Sequence, residues 1–371
     1  MQKSTIVAPL VVLIVLLLGA SRPAAAQFYR QHNLVSDGAV PADLIDPALV
    51  NAWGLAASGS SPWWVADNGT GLSTLYNGNT GAKVALTVTV PGAPTGIVFN
   101  GGAGFEVTTD NPALFLFASE DGTISGWNPA VAATQAVVLV NNSASSAVYK
   151  GLAIASTSGG DFLYATNFRA GTVDVFDSGF NPVPGGFSDP DIPEGYAPFG
   201  IQTIRIENTD VIFVTYALQD EDKEDDVPGE GHGYVNAFDT AGNLLTRVAS
   251  KGQLNSPWGL ALAPDDFGKF SGDLLVGNFG NGRIHAFDPT MVTGRGEFQH
   301  RGPLHSAGGP PIAIEGLWSG IRKRRQRGTE GRSLFHSGPF TRGARSLWQT
   351  RRGSAAWPSA LKAGTELPYY L

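Results

Sequence analysis

Two short phrases alternate along the chain five times, and this recurrence constrains the fold more than anything else in the sequence. "WGLAAS" at Trp53, "TGIVFN" at Thr95, "KGLAIA" at Lys150, "FGIQTI" at Phe199 and "WGLALA" at Trp258 are versions of the first. The second follows each in turn, as "GLSTLYN" at Gly71, "GTISGWN" at Gly122, "GTVDVFD" at Gly171, "GYVNAFD" at Gly233 and "GRIHAFD" at Gly282. It consists of a glycine, four mostly alternating residues, an aromatic, and then Asn or Asp. Between the two lies an apolar run ("WWVADN", "LFLFASE", "FLYATN", "VIFVTYA", "DLLVGN"), and a looser run such as "AKVALTVTV" comes after the second. Short alternating runs bounded by glycine are the pattern of β-strands. Four of them recurring at roughly 50-residue intervals mark a repeat architecture.

A lone four-stranded sheet cannot bury both of its faces, so such units stack around a common axis. The pattern predicts an all-β chain folded as a β-propeller. The glycine that opens each unit lets the innermost strand crowd the axis, and the aromatic of the third strand fills the wedge between neighbours. Trp63, Trp64 and Trp127 are expected to be wedge fillers of this kind rather than platforms for sugar rings. The first phrase appears a sixth time as "EGLW" at Glu315, and "FYRQHNLVSD" (Phe28–Asp37) reads as a strand without a unit of its own. Six blades, with the N-terminal strand closing the last one, account for both loose ends and leave no open edge.

The ends of the chain carry other information. Residues 1–26 combine Lys3, the apolar stretch Ile6–Ala20 and a small-residue site before Gln27. These are the parts of a secretory signal peptide cleaved after Ala26, which places the mature chain outside the cytoplasm, secreted or periplasmic. The apolar stretch is shorter than the roughly 18–20 residues that span a bilayer, and no other segment is apolar enough to do so. The absence of cysteine excludes thiolate metal sites and a cysteine nucleophile, and it leaves stability to the core alone. Residues 27–318 then form the propeller, expected to be a monomer.

Residues 319–371 differ from everything before them. They hold 11 Lys and Arg against Glu330 and Glu366, a net of +9, whereas the whole chain is −7, so residues 1–318 carry −16. Strand periodicity is lost at the same point. A basic arm for an anionic polymer and a solvated extension are two readings. A third is a frameshift: the nucleotides of the "IRKRRQRG" region, displaced by one base, can encode "FGNGGNAG", a propeller-like phrase. On that reading the tail is an aberrant, disordered segment that interrupts the sixth blade, and its charge says nothing about partners. Nucleic acid is not expected to be one.

Two groups of residues could carry chemistry. The run "QDEDKEDDVPGEGHG" (Gln219–Gly233) sets seven acids against Lys223. Dense oxygen ligands suit Ca²⁺, with Asp220, Asp222, Asp225 and Asp226 as the candidate ligands, although Asp225 stands where an EF-hand loop needs glycine. His232 beside the run reads as a turn histidine between glycines. The second group lies at the polar ends of the second strands: Asp67, Glu120, Asp121, Asn167 and Asn278. If the blades are equivalent, these residues ring one mouth of the channel, where they could hold a divalent cation that activates water. The plainer reading is that Asp and Asn make the turns there. No G-x-S-x-G elbow and no H-E-x-x-H is present.

"HNLVSD", "NAWGLA", "ASEDGTISGWNP", "YKGLAIA", "VTYALQDEDKEDDVPGEGHGYVNAFD" and "SPWGLALAP" together resemble a family of exported bacterial six-bladed propellers, some with a C-terminal PEP-CTERM sorting tail. The resemblance runs from about Gln31 to Trp318, and no sorting tail is visible here. More loosely the units are similar to NHL-type and gluconolactonase-like propellers, which include metal-dependent hydrolases, lyases and binding modules. The resemblance implies fold and export, not a reaction. The function expected is a binding or scaffold module, with Ca²⁺ as its candidate cofactor and an unknown ligand, glycan or envelope protein as partner. The alternative is a gluconolactonase-like, metal-dependent hydrolase or lyase acting at the channel mouth.

Overall fold

The computed structural model describes residues 28–318, except 207, 308 and 316, together with the strands Leu334–Ser337 and Ser346–Gly353. Residues 1–27, where a signal peptide and its cleavage site are expected, lie outside the described residues, as does most of the basic tail. Five four-stranded antiparallel sheets follow one another, each a simple meander from an inner to an outer strand. Their inner strands are Ala52–Ala56, Pro94–Phe99, Tyr149–Thr157, Tyr196–Ile206 and Pro257–Leu262. A further sheet contains the N-terminal strand Phe28–Ser36, which pairs antiparallel with Ser346–Gly353, followed by Leu334–Ser337 and Leu317–Trp318. Two of its strands therefore come from the basic tail; the disorder and frameshift expected for the rest of that tail fall outside the described residues. The fold is all-β and a β-propeller.

Each part of the repeat has a physical job. The glycine of the first phrase brings adjacent inner strands into backbone contact. A Cβ at Gly54 would lie 2.5 Å from the Thr95 carbonyl oxygen, one at Gly96 2.4 Å from the Leu152 nitrogen, and one at Gly200 2.2 Å from the Trp258 oxygen. No side chain fits there. The recurring aromatics Tyr76, Trp127, Phe176, Phe238 and Phe287 are all buried, each in the wedge between its own sheet and the preceding one. Trp64 stacks on Phe115 at 4.2 Å between ring centroids and meets Trp127 at 4.8 Å. The three tryptophans thus pack in wedges, as the repeat pattern predicts. The closing Asn or Asp of the second phrase accepts a hydrogen bond from the backbone amide two residues on, at 2.8–2.9 Å in all five units. That is the Asx-turn that reverses the chain into the outer strand.

The N-terminal strand belongs to two wedges at once. Tyr29 packs with the fifth sheet, stacked on Phe267 at 4.7 Å and donating its hydroxyl to the Phe267 carbonyl at 3.0 Å. Leu34 and Val35 pack with Trp63 and Tyr76 of the first sheet and with Leu49 just before it. Leu317–Trp318 touches the inner strands of both the fifth and the first sheets.

The glycine contacts yield a direct prediction. Gly200→Ala forces a methyl group against backbone that cannot swing away, and it should destabilise the protein by about 1–3 kcal/mol or more. Gly59→Ala, where a Cβ meets nothing within 4 Å, should stay within about 0.5 kcal/mol of the parent. Denaturant midpoints of the two variants check the contrast.

Candidate functional site

The inner strands run from one mouth of the axis to the other, and the two mouths are chemically different. At the end where these strands begin, the residue before each repeat glycine points to the axis: Trp53, Thr95, Lys150, Phe199 and Trp258. Trp53, Phe199 and Trp258 join Phe168 and Phe279 in one buried aromatic cluster. The Trp53 and Trp258 rings meet nearly edge-on at 6.2 Å, and Phe168 and Phe199 lie 5.1 Å apart. This cluster plugs the axis.

Lys150 is set into the plug, with 1% of its surface exposed. Its ammonium donates to Glu120 and, at 2.9 Å, to Asp225, and it lies 5.2 Å above the Trp53 ring. The Trp258 indole N–H donates to the Lys150 carbonyl at 2.9 Å. Burial works against the charged form, but the Glu120 and Asp225 carboxylates outweigh it and hold the lysine pKa above its ordinary value. A lysine held so firmly protonated is neither a base nor a nucleophile near neutral pH. Glu120 also accepts from the Asn68 amide at 2.9 Å, and Asn68 accepts from Asn51 at 2.8 Å.

The acidic run forms a lid across this mouth, carried on the loop between the second and third strands of the fourth sheet. Asp225 reaches Lys150, Glu224 pairs with Arg169, and Gln219 donates to the Phe168 carbonyl at 2.6 Å. On the far side the Gly229 amide donates to Asn255 at 2.8 Å and the Gly231 amide to the Leu254 carbonyl at 2.8 Å. The His232 ring meets the Val227 carbonyl at 2.8 Å, a turn role as expected. Asp220 accepts from the Glu224 amide at 2.9 Å and so shapes the loop, while Asp222 is exposed. Asp226 is buried, and burial pushes its pKa up to about 6 despite the nearby Lys150 charge.

Of the residues singled out in the sequence, the structure brings Glu120 and Asp225 together, on an ammonium. At the strand ends, Asp67, Asp121 and Asn167 serve their own hairpins, and Asn278 ties down the connection that leads into its sheet. Asp67 is buried and accepts from the Thr74 amide and hydroxyl at 3.0 and 2.7 Å. Desolvation raises its pKa well above the ordinary carboxylate value. Asp121 accepts from the Thr123 amide and hydroxyl. Asn167 donates to Asp174 at 3.0 Å, and Asn278 donates to the Gln253 carbonyl at 2.8 Å. Among the described residues, no three His, Asp or Glu side chains converge where they could hold a metal ion.

The opposite mouth is open. Here a basin of about 730 Å³ is walled by the far ends of the inner strands and the loops after them, a size typical of small-molecule sites. Asn100, Asp161, Gln202, Thr203, Arg205 and Asp265 supply polar groups to it. A narrower cavity of about 50 Å³ lies along the axis beside it, lined by Leu55, Ile97, Ile154, Gln202 and Thr203 among others. Phe99, Ile154, Gln202 and Thr203 line both spaces. Sequence reasoning missed this mouth although Phe99, Asn100, Ile154, Gln202 and Thr203 fall in the last residues of the first phrases, because those last residues differ from unit to unit. It also missed Lys150, although a lone lysine in a column of Trp, Thr, Phe and Trp was a visible signal.

Fold and site together define a β-propeller whose axis is plugged and lidded at one mouth and open at the other. Two uncharacterized proteins of Acanthamoeba polyphaga mimivirus are similar over most of this length. One is 34% identical over 311 residues, covering 79% of this chain and 73% of the relative; the other is 34% identical over 313 residues, covering 79% and 78%. The chain belongs to the family of these mimivirus proteins. No family model matches it. Among solved structures, a protein of unknown function from Bacteroides thetaiotaomicron aligns with a TM-score of 0.51 at 14% identity, covering 88% of this chain and 77% of that one. A streptogramin B lyase aligns with a TM-score of 0.47 at 11% identity, covering 90% and 88%.

The Lys150 cluster can be tested directly. Lys150→Met leaves Glu120 facing the plug without its counter-charge and should cost about 3–5 kcal/mol of stability. Asp225 is half exposed, so Asp225→Asn should cost only about 1 kcal/mol. Pairing Lys150→Met with Glu120→Gln should recover part of the loss, measured as a coupling energy by chemical denaturation.

Proposed function

We propose that the protein is a binding or scaffold module, an exported six-bladed β-propeller that takes its ligand at the open mouth. The observation that carries this reading is the contrast between the mouths: one is filled by aromatics and a neutralised lysine, the other is a 730 Å³ basin lined by polar side chains such as Asp161, Gln202 and Thr203. A gluconolactonase-like hydrolase would need Glu120 or Asp121, Asn167 and Asn278 to share one cation. Their engagement with Lys150, Thr123, Asp174 and Gln253 favours binding over catalysis. Partners of the expected kind are a small ligand, a glycan or an envelope protein. Calcium held by the acidic lid belongs to the same proposal, with exposed Asp222 as its first ligand.

Six blades are supported by the sixth "EGLW" phrase and by the position of Leu317–Trp318 between the fifth and first inner strands. Export is supported by the n-region, apolar stretch and small-residue site of residues 1–26. A bacterial origin rests on the resemblance of the repeat phrases, whereas the relatives named above are viral. The frameshift rests on the charge reversal at residue 319 and on the phrase recoverable from the displaced frame. Sequencing the coding DNA across residues 315–369 should show a neighbouring frame that continues the sixth blade; a frame without such a phrase removes this part of the proposal.

Binding itself is read by thermal shift on the mature protein against a glycan panel, envelope fragments and Ca²⁺ alone. A ligand for the folded state adds stability that grows with the logarithm of its concentration, about 2.7 kcal/mol at a hundredfold excess over Kd, and the midpoint rises accordingly. At least one glycan or envelope fragment should do so with no accompanying turnover. Metal-dependent hydrolysis of a lactone would instead favour the hydrolase.

A further inference from the structure

Two histidines of the fifth sheet face each other and take no part in the plug, the lid or the basin. His285 lies in the third strand, Ile284–Val292, and His300 in the outer strand, Phe298–Pro303. The strands pair His285 with Pro303 and Phe287 with His300, and the two rings meet diagonally on one face of the sheet. That face is turned to the fourth sheet: Phe287 packs into the wedge there, and its ring lies 5.2 Å from that of His300. His285 Nδ1 and His300 Nε2 are 3.0 Å apart, with ring centroids at 5.1 Å. His285 is buried and His300 is exposed.

The surroundings keep both rings neutral near pH 7. Burial first, then neighbouring His300 and Arg283, push the His285 pKa down to about 4, and burial lowers that of His300 as well. A neutral imidazole has one nitrogen lone pair to offer, and this is the form in which histidine binds metal. Two nitrogens 3.0 Å apart, each about 2.0 Å from one ion, subtend about 97° at it. That is close to the right angle of square-planar Cu²⁺ or Ni²⁺ and short of the ~109° of tetrahedral Zn²⁺. Imidazole sites also hold Cu²⁺ more tightly than Ni²⁺ or Zn²⁺, whereas Ca²⁺ and Mg²⁺ take oxygen ligands. Exposed His300 gives an ion a way in from solvent.

The geometry points to a copper(II) site: His285 Nδ1 and His300 Nε2 take two adjacent corners of one ion, and water takes the others. The ring that donates in the free pair then carries its proton on its other nitrogen, so no proton leaves the protein. Arg283 repels the cation, and the two nitrogen bonds have to exceed that repulsion. The site is separate from the basin, and neither reading rests on the other. The test titrates CuCl₂ into the full-length mature protein in a non-coordinating buffer, followed by calorimetry and electron paramagnetic resonance. The bound Cu²⁺ should show the nitrogen couplings of two imidazoles. Ni²⁺ and Zn²⁺ should bind at least about tenfold more weakly, the equivalent of ~1.4 kcal/mol, and Ca²⁺ should not compete. His300→Gln should lower the Cu²⁺ affinity by about tenfold or more. His32→Gln, which removes a histidine that meets Asp43 instead, should leave that affinity unchanged. The spectrum of the unaltered protein decides the matter even if the His300 variant folds poorly. Coupling to one imidazole or none, tighter binding of Zn²⁺, or an affinity unmoved by His300→Gln overturns the site and leaves the pair as a hydrogen bond between strands.

Discussion

The structure depends on backbone touching backbone around the axis. At Gly54, Gly96 and Gly200 neighbouring inner strands approach so closely that a methyl group has no room. That approach sets a small radius at the axis and gives the blades their tapering wedge. The wedge in turn decides what can fill it: glycines where neighbouring inner strands touch, then aromatics farther out between the sheets, as in Tyr76, Trp127 and Phe238. Because interiors tolerate few voids, the outer aromatics and the inner glycines are two sides of one packing condition. Loosening the axis would leave the wedges underfilled as well.

A narrow axis also makes the Lys150 cluster understandable. Few positions in a protein offer a lysine two carboxylates and an indole face while excluding water. Burial alone would strip the charge from the ammonium, and the carboxylates alone would repel each other. Together they are stable, and they tie the acidic lid of the fourth sheet to the second and third sheets through Glu120, Lys150 and Asp225. The lid is thereby a brace as much as a cover. Exchange with solvent is left to the other mouth, where the basin opens.

What the sequence made legible follows the repeats. The phrase order predicted the sheets, the inner glycines, the wedge aromatics and the N-terminal strand, because each obeys a packing rule that holds blade after blade. The candidate site was legible only in part. Asp67, Asn167 and Asn278 were recognised as polar strand ends, but a repeat does not reveal whether an amide faces the axis or its own turn, and hydrogen bonds to Thr74, Asp174 and Gln253 decided that. Glu120 and Asp225 were chosen for their charge and do converge, yet on a lysine that the repeat column hid among aromatics. The basin residue Asn100 closes one of the first phrases at a position that differs from unit to unit, and Asp161 and Arg205 lie just outside the phrases, so nothing periodic pointed to them.

Tyr29 has a consequence for how the chain reaches this state. Its hydroxyl is bonded to a carbonyl 238 residues away, and its ring lies under Phe267 and Phe270. Contacts this remote in sequence form late, because the loop they close must be ordered first. On the ribosome the N-terminal strand emerges first and finds its seat only after the fifth sheet has been made. Until then its edge is open to any other strand, so the interval between synthesis and closure is when this propeller is most exposed to misassembly.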